Sequence, residues 1–124
     1  MQAPYALALI IADDVYIDPA TGKQSLLGMF STVVARKIPA TIAQLVIYFC
    51  VTDGRGECPI KIKVTDTAEE RDPIFEDERV IDFNDPRLNA EGVMVLSHVQ
   101  FPEPGEYRVQ LFGCGDLLLE RRLL

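Results

Sequence analysis

The sequence predicts an all-β fold, an antiparallel β-sandwich of seven to eight strands in a single domain spanning residues 1–124, and three observations predict it. Short runs rich in Val, Ile, Phe and Tyr recur along the chain, separated by Gly, Pro and Asp turn signals. Several of these runs alternate apolar and polar residues with period two, the mark of a strand with one buried face. No stretch places apolar residues at helical spacing over a useful length.

Residues 5–11 are nearly continuous in apolar side chains, as in a strand buried on both faces, and residues 15–17 extend it beyond a kink at Asp13-Asp14. Asp18-Pro19-Ala20-Thr21-Gly22 combines a preset φ, an acid able to bond its own backbone and a glycine for positive φ, so it predicts the turn to the next strand. That strand covers residues 26–35, with Gly28 marking a bulge or a close backbone approach. After the connector Lys37-Ile38-Pro39-Ala40, residues 45–51 form a short apolar run suited to a central strand. Asp53-Gly54-Arg55-Gly56 then reads as a hairpin turn, and Ile60, Ile62 and Val64 alternate with Lys61, Lys63 and Thr65 on the return strand.

Residues 66–88 are acid-rich, with Glu69, Glu70, Asp72, Glu76, Asp77, Glu78, Asp82 and Asp85 set against Arg71, Arg79 and Arg87. Val80, Ile81 and Phe83 supply a short strand there, and the remainder reads as loop, where binding groups tend to reside. Residues 92–101 resume the alternation, with Val93, Val95, Val99 and Phe101 on one face and Met94, Leu96, His98 and Gln100 on the other. Apolar residues on both faces imply that a loop, a strand or a second chain covers one of them. Pro102, Pro104 and Gly105 break this strand, Tyr107, Val109 and Leu111 begin the next, and residues 117–124 follow a turn at Gly113-Cys114-Gly115-Asp116.

A net charge of −7 argues against nucleic acid and anionic membranes, whose binding draws on Lys and Arg. The apolar N-terminal run lacks a basic flank, a cleavage site and the length to span a bilayer, so the chain reads as a mature cytoplasmic protein. Cys50, Cys58 and Cys114 form no Cys-x-x-Cys pair, which disfavours zinc and leaves buried free thiols as the expectation. A three-residue loop at Asp53–Arg55 would set Cys50 opposite Cys58, whereas the favoured two- or four-residue loop sends the two thiols to opposite faces.

Glu103-Pro104-Gly105-Glu106-Tyr107 resembles the tyrosine corner of immunoglobulin-like Greek-key sandwiches, in which the hydroxyl bonds to backbone just upstream. The buried Trp and paired Cys of antibody domains are absent, so the likeness is to the wider sandwich class. The chain as a whole resembles a family of small uncharacterised bacterial proteins, through Ala12-Asp13-Asp14-Val15, Gly22-Lys23, Leu27-Gly28-Met29-Phe30 and the Pro-Gly-x-Tyr corner. The resemblance implies a bacterial origin and this fold, and it carries no catalytic residue or cofactor with it.

Catalysis would have to use His98, the single histidine, yet no nucleophile elbow accompanies it and its strand neighbour Ser97 points to the opposite face. A plain strand histidine is the simpler reading. Calcium on Asp13, Asp14, Asp18, Asp66, Asp72, Asp77, Asp82 and Asp85 is the alternative, although their spacing fits no EF-hand and solvated turn carboxylates are the default reading. Glycoside hydrolysis lacks a Trp to stack a sugar, and the Gly-x-Gly turns precede strands rather than helices. The expectation is therefore a non-enzymatic module without cofactor that binds another protein or forms a homodimer. Its candidate surface comprises Glu69, Glu70, Asp72, Glu76, Asp77, Glu78, Met94, Leu96 and His98.

Overall fold

The computed structural model describes residues 4–33, 40–67, 72–85 and 87–123. Their strands are β1 (Tyr5–Ile17), β2 (Gln24–Met29), β3 (Ala40–Thr52), β4 (Gly56–Asp66), β5 (Phe75–Phe83), β6 (Ala90–Phe101), β7 (Tyr107–Gly113) and β8 (Asp116–Leu123), with no helix among the described residues. Every pairing is antiparallel, and the strands form two four-stranded sheets, sheet A in the order β2-β1-β3-β6 and sheet B in the order β5-β4-β7-β8. The all-β sandwich expected from the alternation is the fold observed.

Its interior is made by the inward side chains of both sheets. Leu9 and Ile11 of β1, Leu45, Ile47, Phe49 and Val51 of β3, and Met94 and Leu96 of β6 meet Ile60, Ile62 and Val64 of β4 and Val109 and Leu111 of β7. Each such side chain, fully buried, contributes about 1.5–3 kcal/mol. Phe49 reaches across β6 only because position 92 is glycine: a Cβ there would collide with the phenyl ring.

Several local expectations are met. The Asp18 carboxylate accepts from Ala20 N at 2.9 Å and from the Thr21 hydroxyl at 3.0 Å, while Gly22, at φ 72°, donates to Asp18 O and closes the β1–β2 turn. Gly28, at φ 68°, is a close approach: it stands opposite Asp13, whose carboxylate fills the space a side chain would need. At the β6–β7 corner the Tyr107 hydroxyl donates to Glu103 O at 2.6 Å, and the ring stacks edge-on against Phe101 with centroids 4.9 Å apart. The tyrosine thus bonds back to the backbone as the corner motif implies.

Other expectations are corrected. Asp53-Gly54-Arg55-Gly56 is not a hairpin, because β3 lies in sheet A and β4 in sheet B. Two left-handed residues, Asp53 at φ 61° and Gly56 at φ 64°, bend the chain sharply from one sheet to the other. The parity argument for Cys50 and Cys58 therefore loses its premise. Nor are all three thiols free: Cys58 is joined to Cys114, 56 residues away, and only Cys50 is free. Sheet B places the start of β4 beside the β7–β8 turn, a juxtaposition that local turn patterns do not reveal.

The two faces of β6 also differ from the simple alternation. Met94 and Leu96 point into the core, and so do Val99 and Phe101, three and five residues after Leu96. His98, at φ 54°, absorbs the extra residue, and β3 slips by the same amount between Ile42 and Leu45, so the pairing Ile42↔Val99 stays in step with Leu45↔Leu96. The second strand was expected to run through Ala35, but β2 stops at Met29; residues 34 and 35 lie outside the described residues.

Candidate functional site

The register carries residues from all four strands of sheet A into rows on its outer face. Met29, Ala12, Val46 and Val95 form one row, Ile10, Tyr48 and Val93 the next, and Ala8, Cys50 and Glu91 a third. Ala12, Val46 and Cys50 are buried although none belongs to the core cluster between the sheets. Met29 and Val95, at the ends of the central row, are more than half exposed. The face arises because β3 is apolar at both parities, with Leu45, Ile47, Phe49 and Val51 inward and Val46, Tyr48 and Cys50 outward.

Tyr48, Cys50 and Glu91 are the polar members of this face. Tyr48 and Cys50 are two apart on β3, and Glu91 pairs directly with Cys50. Burial, followed by the neighbouring thiol and carboxylate, pushes the Tyr48 phenol up to about 12. Burial also raises the Cys50 thiol, partly offset by the neighbouring Tyr48 hydroxyl. Both groups are held protonated at neutral pH, which suits hydrogen bonding and disfavours nucleophilic attack. The tip of the β1–β2 hairpin, through Thr21, Gly22, Lys23 and Gln24, faces Tyr48 and Glu91 across a cleft of about 830 Å³.

The outer face of sheet B has a different chemistry. Its rows read Glu78, Lys61, Phe112, Leu117, then Glu76, Lys63, Gln110, Glu120, then Thr65, Arg108, Arg122. Lys61 Nζ lies 3.5 Å from Glu76 and 5.2 Å from the centre of the Phe112 ring. Arg108 meets Glu120 at 2.9 Å and Arg122 meets Glu106 at 3.5 Å.

The residues expected to form an interaction surface fall on two parts of the molecule, with Glu76, Asp77 and Glu78 on β5 and Asp72, Leu96 and His98 on one cleft. Glu76, Asp77 and Glu78 lie on the edge strand β5, where Glu76 faces Lys63, Glu78 faces Lys61 and Asp77 is 3.6 Å from Arg79, so their charge is largely answered within the sheet. Met94 is a core side chain, and Leu96, also in the core, touches the cleft that His98 lines. His98 is exposed and lines a cleft of about 530 Å³ together with Asp72 and Phe75. Glu69 and Glu70 lie outside the described residues. The outer face of sheet A went unread because identifying it requires the pairing of β1 with β3 and of β3 with β6; the apolar outward positions of residues 46, 48 and 50 were its only local sign.

Three of the aspartates considered for calcium have local partners, while a buried oxygen of Asp66 has none among the described residues. Asp18 caps its turn, Asp14 accepts from Val15 N and Gln44 Nε2, and Asp85 forms a bidentate pair with Arg87 that holds its carboxyl below the usual range. Among the described residues no three of His, Cys, Asp or Glu gather to hold a metal ion. No helix among them is long and apolar enough to cross a membrane. The model of a family of unknown function, DUF6941, matches residues 7–124. No curated protein matches the chain.

Proposed function

The chain therefore belongs to DUF6941, and since membership brings no activity with it, we propose from its geometry that it is a non-catalytic module that binds protein through the outer face of sheet A. One observation carries the reading: two sheets of equal size share one core, yet ion pairs thread the outer face of sheet B, whereas the rows of sheet A are apolar across β1 and β3 and end in exposed Met29 and Val95. Ala12 and Val46 between them are already buried, so a partner would meet the face at its two exposed apolar ends, Met29 and Val95. The immunoglobulin-like reading of the sandwich is supported by the Tyr107 corner and by the packing of β6-β3-β1 against β4-β7-β8. Architectures of this kind commonly serve as binding scaffolds, an argument by analogy that adds to the face itself.

The test is site-specific photocrosslinking in the cells that make the protein, with the crosslinking residue placed at Val95 in one variant and at Glu78, on the outer face of sheet B, in the other. Adducts are expected from position 95 and few from position 78. An adduct of twice the chain mass identifies self-assembly, and a larger or smaller one a different protein. Equal yields at the two positions, or none at 95, would overturn the proposal.

A further inference from the structure

We propose that the Cys58–Cys114 bond is a reversible redox latch on the β7–β8 turn, opened by a dithiol reductant. The two Cα atoms are 5.3 Å apart, within the range of natural disulfides. Access is unequal: Cys58 is wholly buried at the start of β4, whereas Cys114 is half-buried in the turn at φ 50°. The fold stands without the bond, because seven residue pairs from Ile60↔Gly113 to Asp66↔Tyr107 already join β4 to β7, and Cys114 N donates to Pro59 O at 3.0 Å.

What the latch holds is the turn and its neighbours. Pro4 and Leu118 pack so closely on Gly113 that no side chain fits there, which ties the turn to the beginning of β1. Further along β8, Arg121 donates to Leu9 O at 3.0 Å and closes the seam between the two sheets at their open edges. Releasing the turn therefore loosens the β1–β8 seam and leaves the centre of each sheet paired. Cys50 does not compete, since it lies on the opposite sheet's outer face with its thiol raised by burial.

The chemistry balances as ordinary thiol–disulfide exchange. A thiolate of the reductant attacks the sulfur of Cys114, the less buried of the two residues, the Cys58–Cys114 bond breaks, and Cys58 leaves as a thiolate that takes up a proton. The second thiol of the reductant then attacks the mixed disulfide and releases Cys114, also protonated. The reductant ends as a disulfide, having given up two electrons and two protons.

The experiment uses the full chain, treated with oxidised glutathione, unfolded in iodoacetamide and weighed intact. One alkylation, at Cys50, is expected before dithiothreitol and three after it. Three alkylations before reduction would overturn the pairing. Hydrogen exchange of the oxidised and reduced chains then tests the latch: reduction is expected to remove protection in β8 and around Leu9 while β3 and β4 keep theirs. Identical exchange in the two forms, or loss of protection throughout, would each overturn it. Cys114→Ser is expected to match the reduced chain with or without dithiothreitol, and a further response to dithiothreitol would place the effect elsewhere and overturn the assignment.

Discussion

The outer faces of the two sheets are built on the same core and have opposite surfaces. In β4 each inward Ile or Val alternates with Lys or Thr, and the lysines meet glutamates of β5, so much of the charge on the outer face of sheet B is paired within the sheet. In β3 the outward positions include Val46, Tyr48 and Cys50, flanked by Ala12 and Val95, and no ion pair among the described residues crosses the centre of sheet A. Burial of the shared core explains half of each strand. The other half is decided by what each outer face has to meet, and that is where function leaves a trace in a sandwich.

The largest effect should come from placing a charge at the centre of each face. Val46 is wholly buried while lying outside the core between the sheets, so Val46→Asp puts an unpaired carboxylate where water does not reach it. A cost of about 3 kcal/mol or more is expected, read from the urea midpoint. Lys63→Asp, at the equivalent place in sheet B, sets two acids opposite one another beside Glu76 and should cost about 1 kcal/mol or less, because the site is partly solvated. Similar losses from both changes would erase the distinction between the faces.

How much of this was legible in the sequence follows from the range of the signals. The Asp18 turn, the Tyr107 corner and the alternation of Ile60, Ile62 and Val64 depend on neighbours within a few residues, and the structure repeats them. Phase slips and crossings do not. Asp53-Gly54-Arg55-Gly56 has the composition of a hairpin, but its strands find better partners in different sheets. His98 has the look of an ordinary strand residue, yet its left-handed backbone lets Met94, Leu96, Val99 and Phe101 all face inward. The Cys58–Cys114 contact and the apolar rows of sheet A likewise exist only once distant strands are in register, which is why the acidic residues stood out in the sequence and the apolar face did not.

A second, smaller contrast is in pH dependence. Below pH 10 the Tyr48 phenol is protonated in both folded and unfolded chains, and the stability of the buried hydroxyl is fully present. Between pH 10 and about 12 the unfolded phenol ionises while the folded one resists, so stability falls as pH rises through that window. Allowing for the partial exposure of the ring, the loss attributable to this group is on the order of 1–2 kcal/mol. Urea unfolding at about pH 9 and about pH 11 should show the decline in the native chain and a shallower one in Tyr48→Phe. Equal slopes in the two would mean that the face around Tyr48 is wetter than its burial implies.

The smallest effect probes the ionic face from the other direction. Gln110 is buried in the middle of the outer face of sheet B, its Oε1 has no hydrogen-bond partner, and its Nε2 reaches Glu120 only at 3.5 Å. Gln110→Leu gives up one weak bond and removes one unsatisfied carbonyl, whose burial costs about 1–3 kcal/mol. The expected result is a chain between unchanged and about 1 kcal/mol more stable by urea unfolding, since lost and relieved terms nearly offset. A loss above about 1 kcal/mol would show that the amide works with Arg108 and Glu120 as one network, because only coupling among the three makes the removal of a single weak bond so costly. In that case the charges of sheet B support the fold as well as covering its surface.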